Sequence, residues 1–226
     1  MRVEWSRFRA YIYGTWESEV VRALTEVVQE GFVAIDVGAH HGYYALILSR
    51  LVGSKGSVIA FEPIPSNFQI LTENINLNRC ANVEVVNKAV SNKSARLEAS
   101  PRNDKDSATF SLSSNKVGES IAVDAVSLDG FLVHREGPID FIGIDAEGAE
   151  GMVLMGARKT IESHHPILLI ELHEGGDFEP SQVPGLLMEL GYDMKWLSHW
   201  NGTSHLLASW KKSGSQNEPH GFHLRT

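Results

Sequence analysis

The chain has 226 residues, 42% hydrophobic and 21% charged, with 20 Lys and Arg against 28 Asp and Glu for a formal charge of −8. That composition supports one sizeable folded core and excludes a disordered or fibrous chain. The acidic balance disfavours nucleic-acid partners held by their phosphates, the single cysteine Cys80 excludes an intrachain disulfide, and no apolar run reaches the ~20 residues of a membrane helix. The opening MRVEWSRFRAYIYG lacks the apolar centre of a secretory leader, so the expectation is a soluble cytoplasmic protein.

Residues 16–30 read as an amphipathic helix, with Trp16, Val20, Ala23, Leu24, Val27 and Val28 on one face, Thr15 as N-cap, and Glu17 and Glu19 at the positive end of the dipole. Residues 1–30 are therefore expected to form a helical extension packed on the core. FVAIDVG begins as a buried strand, breaks at Asp36 and turns through the loop Asp36-Val37-Gly38-Ala39-His40-His41-Gly42. Tyr44, Leu48, Leu51 and Val52 follow at helical spacing until Gly53 to Gly56. SVIAFEP (57–63) is a second strand ending in Glu62 and closed by Pro63. Phe68, Leu71 and Ile75 mark a crossover helix, and NVEVVNKAV (82–90) is a third strand.

The polar, Ser-rich stretch 91–120 is expected to hold short antiparallel strands and a mobile loop that could cover an acceptor. Ser127 to Val133 reads as a short helix, IDFIGID (139–145) as a strand, Ala149 to Thr160 as a helix and PILLIELHE (166–174) as a strand. A helix over Pro184–Leu190 closes at Gly191. YDMKWL and SHLLASW form a last strand pair, and 211–226 is a polar tail expected to be flexible. Strands alternating with helices imply a parallel sheet with right-handed crossovers.

Ligands of such sheets sit outside the carboxyl ends of the strands. Asp36, Glu62, Asp145 and Glu171 all fall at predicted strand ends. In the first loop Gly38 permits a tight turn or close approach, and Gly42 opens a helix whose N-terminus favours an anionic group. The glycines are spaced G-x-x-x-G rather than G-x-G-x-x-G. Asp36 would oppose a pyrophosphate, which argues against the alternative of an NAD(P)-dependent oxidoreductase, and it suits a cationic amine. Glu62 can hold ribose hydroxyls. S-adenosylmethionine, with an ammonium, a sulfonium and an adenosine, satisfies both acids. Glu171 and His173 alternate onto one side of their strand and with Asp145 could hold a divalent metal. Glu147 and Glu150 have a plain alternative role, complementing a helix dipole. The scattered histidines, His41 and His205 among them, receive no role.

The segments GTWE (14–17), IDVGAHHGYYA (35–45), VIAFEPI (58–64), NINLN (74–78), NKAVS (87–91), VSLDGFL (126–132), IDFIGIDAEGAE (139–150) and PILLIEL (166–172) occur in this order. The set resembles the FkbM family of S-adenosylmethionine-dependent methyltransferases. The resemblance implies a class I methyltransferase fold, an α/β Rossmann-like architecture. Its seven-stranded, mostly parallel sheet has helices on both faces and an antiparallel final strand, here placed within residues 31–210. It implies O-methylation of a hydroxyl on a small molecule or glycan by in-line transfer, with RNA disfavoured by charge.

Carried onto this sequence, Asp36, Gly38, Ala39, His40 and Gly42 surround the amino-acid part of the cofactor. Glu62, with Pro63 closing its turn, holds the ribose, and Lys88 and Ala89 flank the adenine. Asp145 faces the methyl group, and Glu147 and His173 complete the candidate catalytic set. Where the family commonly has lysine, this chain has Gly143, which keeps open a second alternative, a non-catalytic domain that binds the cofactor or a partner. The oligomeric state is left open, a homodimer included.

Overall fold

The computed structural model describes residues 16–103, 106–111, 120–174, 179–200 and 203–211. In chain order these form α1 (Ser18–Val27), β1 (Val33–Val37), α2 (Tyr43–Val52), β2 (Ser57–Phe61), α3 (Pro65–Leu77) and β3 (Val83–Val86). Next come β4 (Ala89–Val90), β5 (Ala95–Asn103), β6 (Asp106–Ser111), β7 (Ile121–Val126) and the single turn α4 (Leu128–Phe131). The chain continues through β8 (Phe141–Asp145), α5 (Glu150–Gly156), α6 (Arg158–His164), β9 (Ile167–His173), α7 (Val183–Glu189), β10 (Tyr192–Trp200) and β11 (Thr203–Trp210).

Seven strands make one sheet in the order β10-β11-β9-β8-β1-β2-β3. All neighbours are parallel except β11, which runs antiparallel to both β9 and β10. The order reverses at β1, which lies between β2 and β8, so a crevice opens over the carboxyl ends of these strands. Helices bury both faces, and this is why the strand segments read as unbroken apolar runs. One face carries Ile35, Val37, Ile142, Ile144 and Ile170 against Leu154 and Ile161. The other carries Ala34, Phe141, Leu169 and Leu207 against Val20, Leu24 and Leu48 of α1 and α2.

Three readings of local structure need correction. The strand read over 82–90 is two strands: β3 joins the large sheet, and β4 joins a second, four-stranded sheet ordered β4-β7-β5-β6. The break falls at Asn87, whose side-chain amide donates to the carbonyls of Glu62 at 2.9 Å and Pro63 at 3.1 Å and ties the chain to the end of β2. The helix read over 149–160 divides at Ala157 because Gly156 passes under Ser91; a Cβ there would lie 2.0 Å from the Ser91 carbonyl oxygen. The first helix begins at Ser18, after a left-handed Glu17 at φ 46°, and ends at Val27. Its expected cap, Thr15, lies outside the described residues, as do 1–14, 112–119 and 212–226. β7, with alternating buried and exposed residues, was not anticipated.

Gly38 is where β1 and β8 meet. Its N–H donates to the Phe61 carbonyl at 3.0 Å, its φ is +83°, and a Cβ would lie 1.8 Å from the Asp145 carbonyl oxygen. Gly31 has a similar φ of +91° with nothing near its missing Cβ. Gly31→Ala is therefore expected to cost about 1 kcal/mol from backbone strain alone, and Gly38→Ala about 3 kcal/mol or more because steric conflict adds to the strain. Denaturant unfolding of both variants checks the difference; equal losses would remove the close approach from the account.

Candidate active site

Asp36 lies near the carboxyl end of β1 and is only 5% exposed. It accepts a hydrogen bond from the Ala45 amide of α2, while Oδ2 is buried with no hydrogen-bond partner. Burial outweighs the single amide and pushes the carboxyl up to about 7. The facing residue on β8 is Gly143. A Cβ there would lie 3.9 Å from Asp36 Oδ1, so the missing side chain leaves space in front of the carboxyl. A cavity of about 350 Å³, counting its open mouth, is lined there by Asp36, Gly143, Tyr44, Asp145, Glu171 and His205.

Glu62, 4% exposed, is held from three sides. Oε2 accepts from the His40 N–H and Oε1 from the Ile64 N–H, both at 2.8 Å, and the Asn67 side chain adds a third bond. Burial still raises its carboxyl to about 7 against these donors. Of about four acceptor directions on the two oxygens, these donors leave one. The glycine loop is fixed on the other side as well. Ala39 N–H donates to Phe61 at 2.9 Å, and the wholly buried Asn74 donates to the His41 carbonyl at 2.7 Å. Pro63 carries the turn that Asn87 grips. Lys88 is half-buried, and Ala89 packs with Ile64 and Ala125.

A second group gathers two residues further along the same face. Register places Asp145 opposite Glu171, and Glu171 opposite His205 of β11. His173, 4% exposed, holds its Nδ1 2.9 Å from Glu150 Oε1. Its Nε2 lies 3.4 Å from Glu171 Oε1, 3.4 Å from Glu147 Oε2 and 3.8 Å from Asp145 Oδ1. Burial opposes a charge on this ring, yet the surrounding carboxylates win and raise it to about 11. Burial, then Glu171 and Glu147, lift the Asp145 carboxyl well above the usual range. Burial also works to raise Glu171, but His173 and His205 outweigh it and hold it below the usual range. His205 resists burial in the same way and rises to about 9 beside Glu17 and Glu171.

The structure thus brings Asp145, Glu147, Glu171 and His173 together and places Asp36 one row away on the sheet. Glu62 and the loop residues Gly38 to Gly42 form the adjoining part. Glu150 both accepts from the Gly148 N–H at 2.9 Å and orients His173, so it is more than a dipole complement. Sequence reasoning missed Glu17 and His205. Glu17 does not sit inside the first turn of α1; it precedes it, accepts from the Tyr44 hydroxyl and faces His205 Nε2 at 3.5 Å. The readable signal was the alternation of SHLLASW, which puts His205 and Leu207 on one face. Asn67, Asn74 and Asn87 were also missed, since an amide that braces a turn has no signature in spacing.

The strand order, mostly parallel with an antiparallel β11, is that of a class I methyltransferase fold. Two solved structures show the same fold. A methyltransferase FkbM from Methylobacillus flagellatus KT superposes with a TM-score of 0.57 at 19% identity over 79% of this chain and 43% of that one. A Streptococcus mutans methyltransferase solved with SAH gives 0.54 at 15% over 85% and 94%. The sequence of the methyltransferase FkbM domain family matches residues 36–194. The hexuronic acid methyltransferase AglP of Haloferax volcanii is 31% identical over 174 residues, 76% of this chain and 68% of AglP. The chain belongs to the FkbM methyltransferase family. Membership implies S-adenosylmethionine as the methyl donor and sets aside the oxidoreductase alternative. No helix among the described residues is long and apolar enough to cross a membrane.

Asp36 binds its proton more tightly when folded than when unfolded, so its contribution is most favourable below about pH 3.8 and is lost as pH rises through about 7. Asp36→Asn is expected to stabilise the ligand-free protein by about 2–4 kcal/mol at pH 8 and to give no gain at pH 4. Thermal melts across that range check it; a gain independent of pH would contradict the buried-carboxyl assignment.

Proposed function

We propose that this protein transfers a methyl group from S-adenosylmethionine to a hydroxyl oxygen of a small molecule or glycan. The observation that carries the reading is the buried, unpartnered Asp36 Oδ2 facing a cavity that also holds Asp145. A buried carboxylate oxygen without a donor fits a ligand that brings an ammonium group. Glu62, with an acceptor direction left, fits a ribose hydroxyl beside it. The name of AglP, a hexuronic acid methyltransferase, supports a sugar acceptor, and the fold alone is shared with the solved structures.

When bound, the cofactor supplies a methyl group already activated by the sulfonium. The chain then aligns and deprotonates. Asp36 holds the amino-acid end through charge, and the braced loop from Gly38 through Ala39 and His40 to Gly42 fixes its position. Glu62 hydrogen-bonds the ribose, and Lys88 and Ala89 border the base. Alignment of this kind contributes about 7–11 kcal/mol at best. Asp145 Oδ1, buried without a hydrogen bond, takes the proton of the acceptor hydroxyl. The factors that raise its carboxyl make its ionised form a stronger base. His173 supplies the neighbouring positive charge, and Glu147 borders the acceptor.

A second reading adds a divalent metal on Asp145, Glu171 and His173, whose ligand atoms converge. Such an ion would lower the pKa of the acceptor hydroxyl and orient it.

Calorimetry with S-adenosylhomocysteine and turnover with sugar acceptors test the proposal. Glu62→Ala should weaken binding by about 10–100-fold. Asp145→Asn should leave affinity within a few-fold while lowering turnover by about 100-fold or more. Unchanged affinity in the first variant, or unchanged turnover in the second, overturns the corresponding role. Labelled-methyl transfer to no acceptor at all would favour the non-catalytic alternative.

A further inference from the structure

Glu171 has a histidine on each side. Its Oε1 faces His173 Nε2 at 3.4 Å, and its Oε2 faces His205 Nε2 at 3.3 Å. His205 Nε2 also faces Glu17 Oε2 at 3.5 Å. His205 is 6% exposed, and its Nε2 is buried with no hydrogen-bond partner. These are long separations for an imidazolium against carboxylates, which close to about 2.7–2.9 Å when charge-assisted hydrogen bonds form. They match two ligand atoms on one ion. With bonds of about 2.0–2.2 Å, a tetrahedral arrangement spaces its ligands about 3.3–3.6 Å apart.

The outer contacts fit the same purpose. A metal-binding histidine keeps its second ring nitrogen on a hydrogen-bond partner, which fixes the tautomer and the direction of the other. His205 Nδ1 lies 2.9 Å from Ser198 Oγ. The Tyr44 hydroxyl donates to Glu17 Oε2, the very oxygen that faces His205. Glu17 precedes α1 in a left-handed conformation.

We propose that Glu17, Glu171 and His205 form a cation position separate from the Asp145–Glu171–His173 group, with Glu171 bridging the two, and that it takes a divalent first-row transition ion. One imidazole with two carboxylates suits zinc, manganese or iron better than calcium, which prefers an all-oxygen shell. The position rests on ligand geometry and does not depend on the methyl-transfer reading. It joins α1, β9 and β11, and so links the N-terminal helix to the reaction side of the sheet.

Untagged, chelator-stripped protein dialysed against Zn²⁺, with the bound metal counted by elemental analysis, tests the proposal. An ion at this position is expected in the wild type and is lost in His205→Ala, whether or not a second ion, lost in His173→Ala, is also held. A wild type that binds one ion, lost in His205→Ala and kept in His173→Ala, upholds this position and removes the Asp145–Glu171–His173 reading. Identical stoichiometry and affinity in wild type and His205→Ala, or no ion bound by the wild type, overturns it. Should His205→Ala fail to fold by circular dichroism, Ser198→Ala decides. A loss of affinity of about tenfold or more at one ion supports the position, and unchanged affinity at every ion overturns it.

Discussion

A carboxylate withdrawn from water without a cation either keeps its proton or waits for a partner. That constraint shapes the mouth of this sheet. Asp36 has one amide for one of its oxygens and nothing for the other. Glu62 has three donors and is still raised to about 7. Packing of the strands forces both groups into the interior, and the proposed cationic donor would relieve the cost at Asp36. Further along, Glu171 meets two histidines instead. There the two histidines hold Glu171 below the usual range, while Asp145 is lifted above it and the group keeps an excess of carboxylates.

Placement follows from period and register. Side chains alternate along a strand, so Asp36, Gly143, Asp145, Glu171, His173 and His205 all point to the face covered by α1 and α2. Parallel pairing then sets Asp36 beside Gly143 and Asp145 beside Glu171, while antiparallel β11 returns His205 to Glu171. A slip of one residue in any of these strands would turn its polar group into the opposite apolar core. Gly38 makes the arrangement compact, because only a residue without a side chain lets the turn after β1 touch the end of β8. Gly143 makes it open, leaving volume where a side chain would otherwise meet Asp36.

The architecture was legible wherever burial left a continuous apolar run. β1, β2, β8 and β9 and the closing strand pair stand close to where their residues put them, and the acids ending those runs marked the crevice. What the sequence hid has physical causes. The bend at Asn87 depends on a side chain reaching the end of a different strand. The division at Ala157 depends on the closeness of Ser91 and Gly156, 65 positions apart in sequence numbering. Glu17 looked like an ordinary helix-start acid because its backbone conformation has no sequence signature. His205 became meaningful only once β11 was paired with Glu171, a contact between segments far apart in the chain. Glu150 fitted the dipole role so well that its grip on His173 could not be read from spacing.

In the proposed reaction the two acid groups divide the work: Asp36 and Glu62 would recognise the donor, while Asp145 and its neighbours would face the acceptor. The central claim is that Asp36 exchanges its proton for a cationic group on binding, and proton release measures that exchange most directly. Calorimetry of S-adenosylhomocysteine binding near pH 6.5, in two buffers of different ionisation enthalpy, counts the protons released. The wild type should release a substantial fraction of a proton, and Asp36→Asn should lose most of that release. The same buffer dependence in both proteins would contradict the claim.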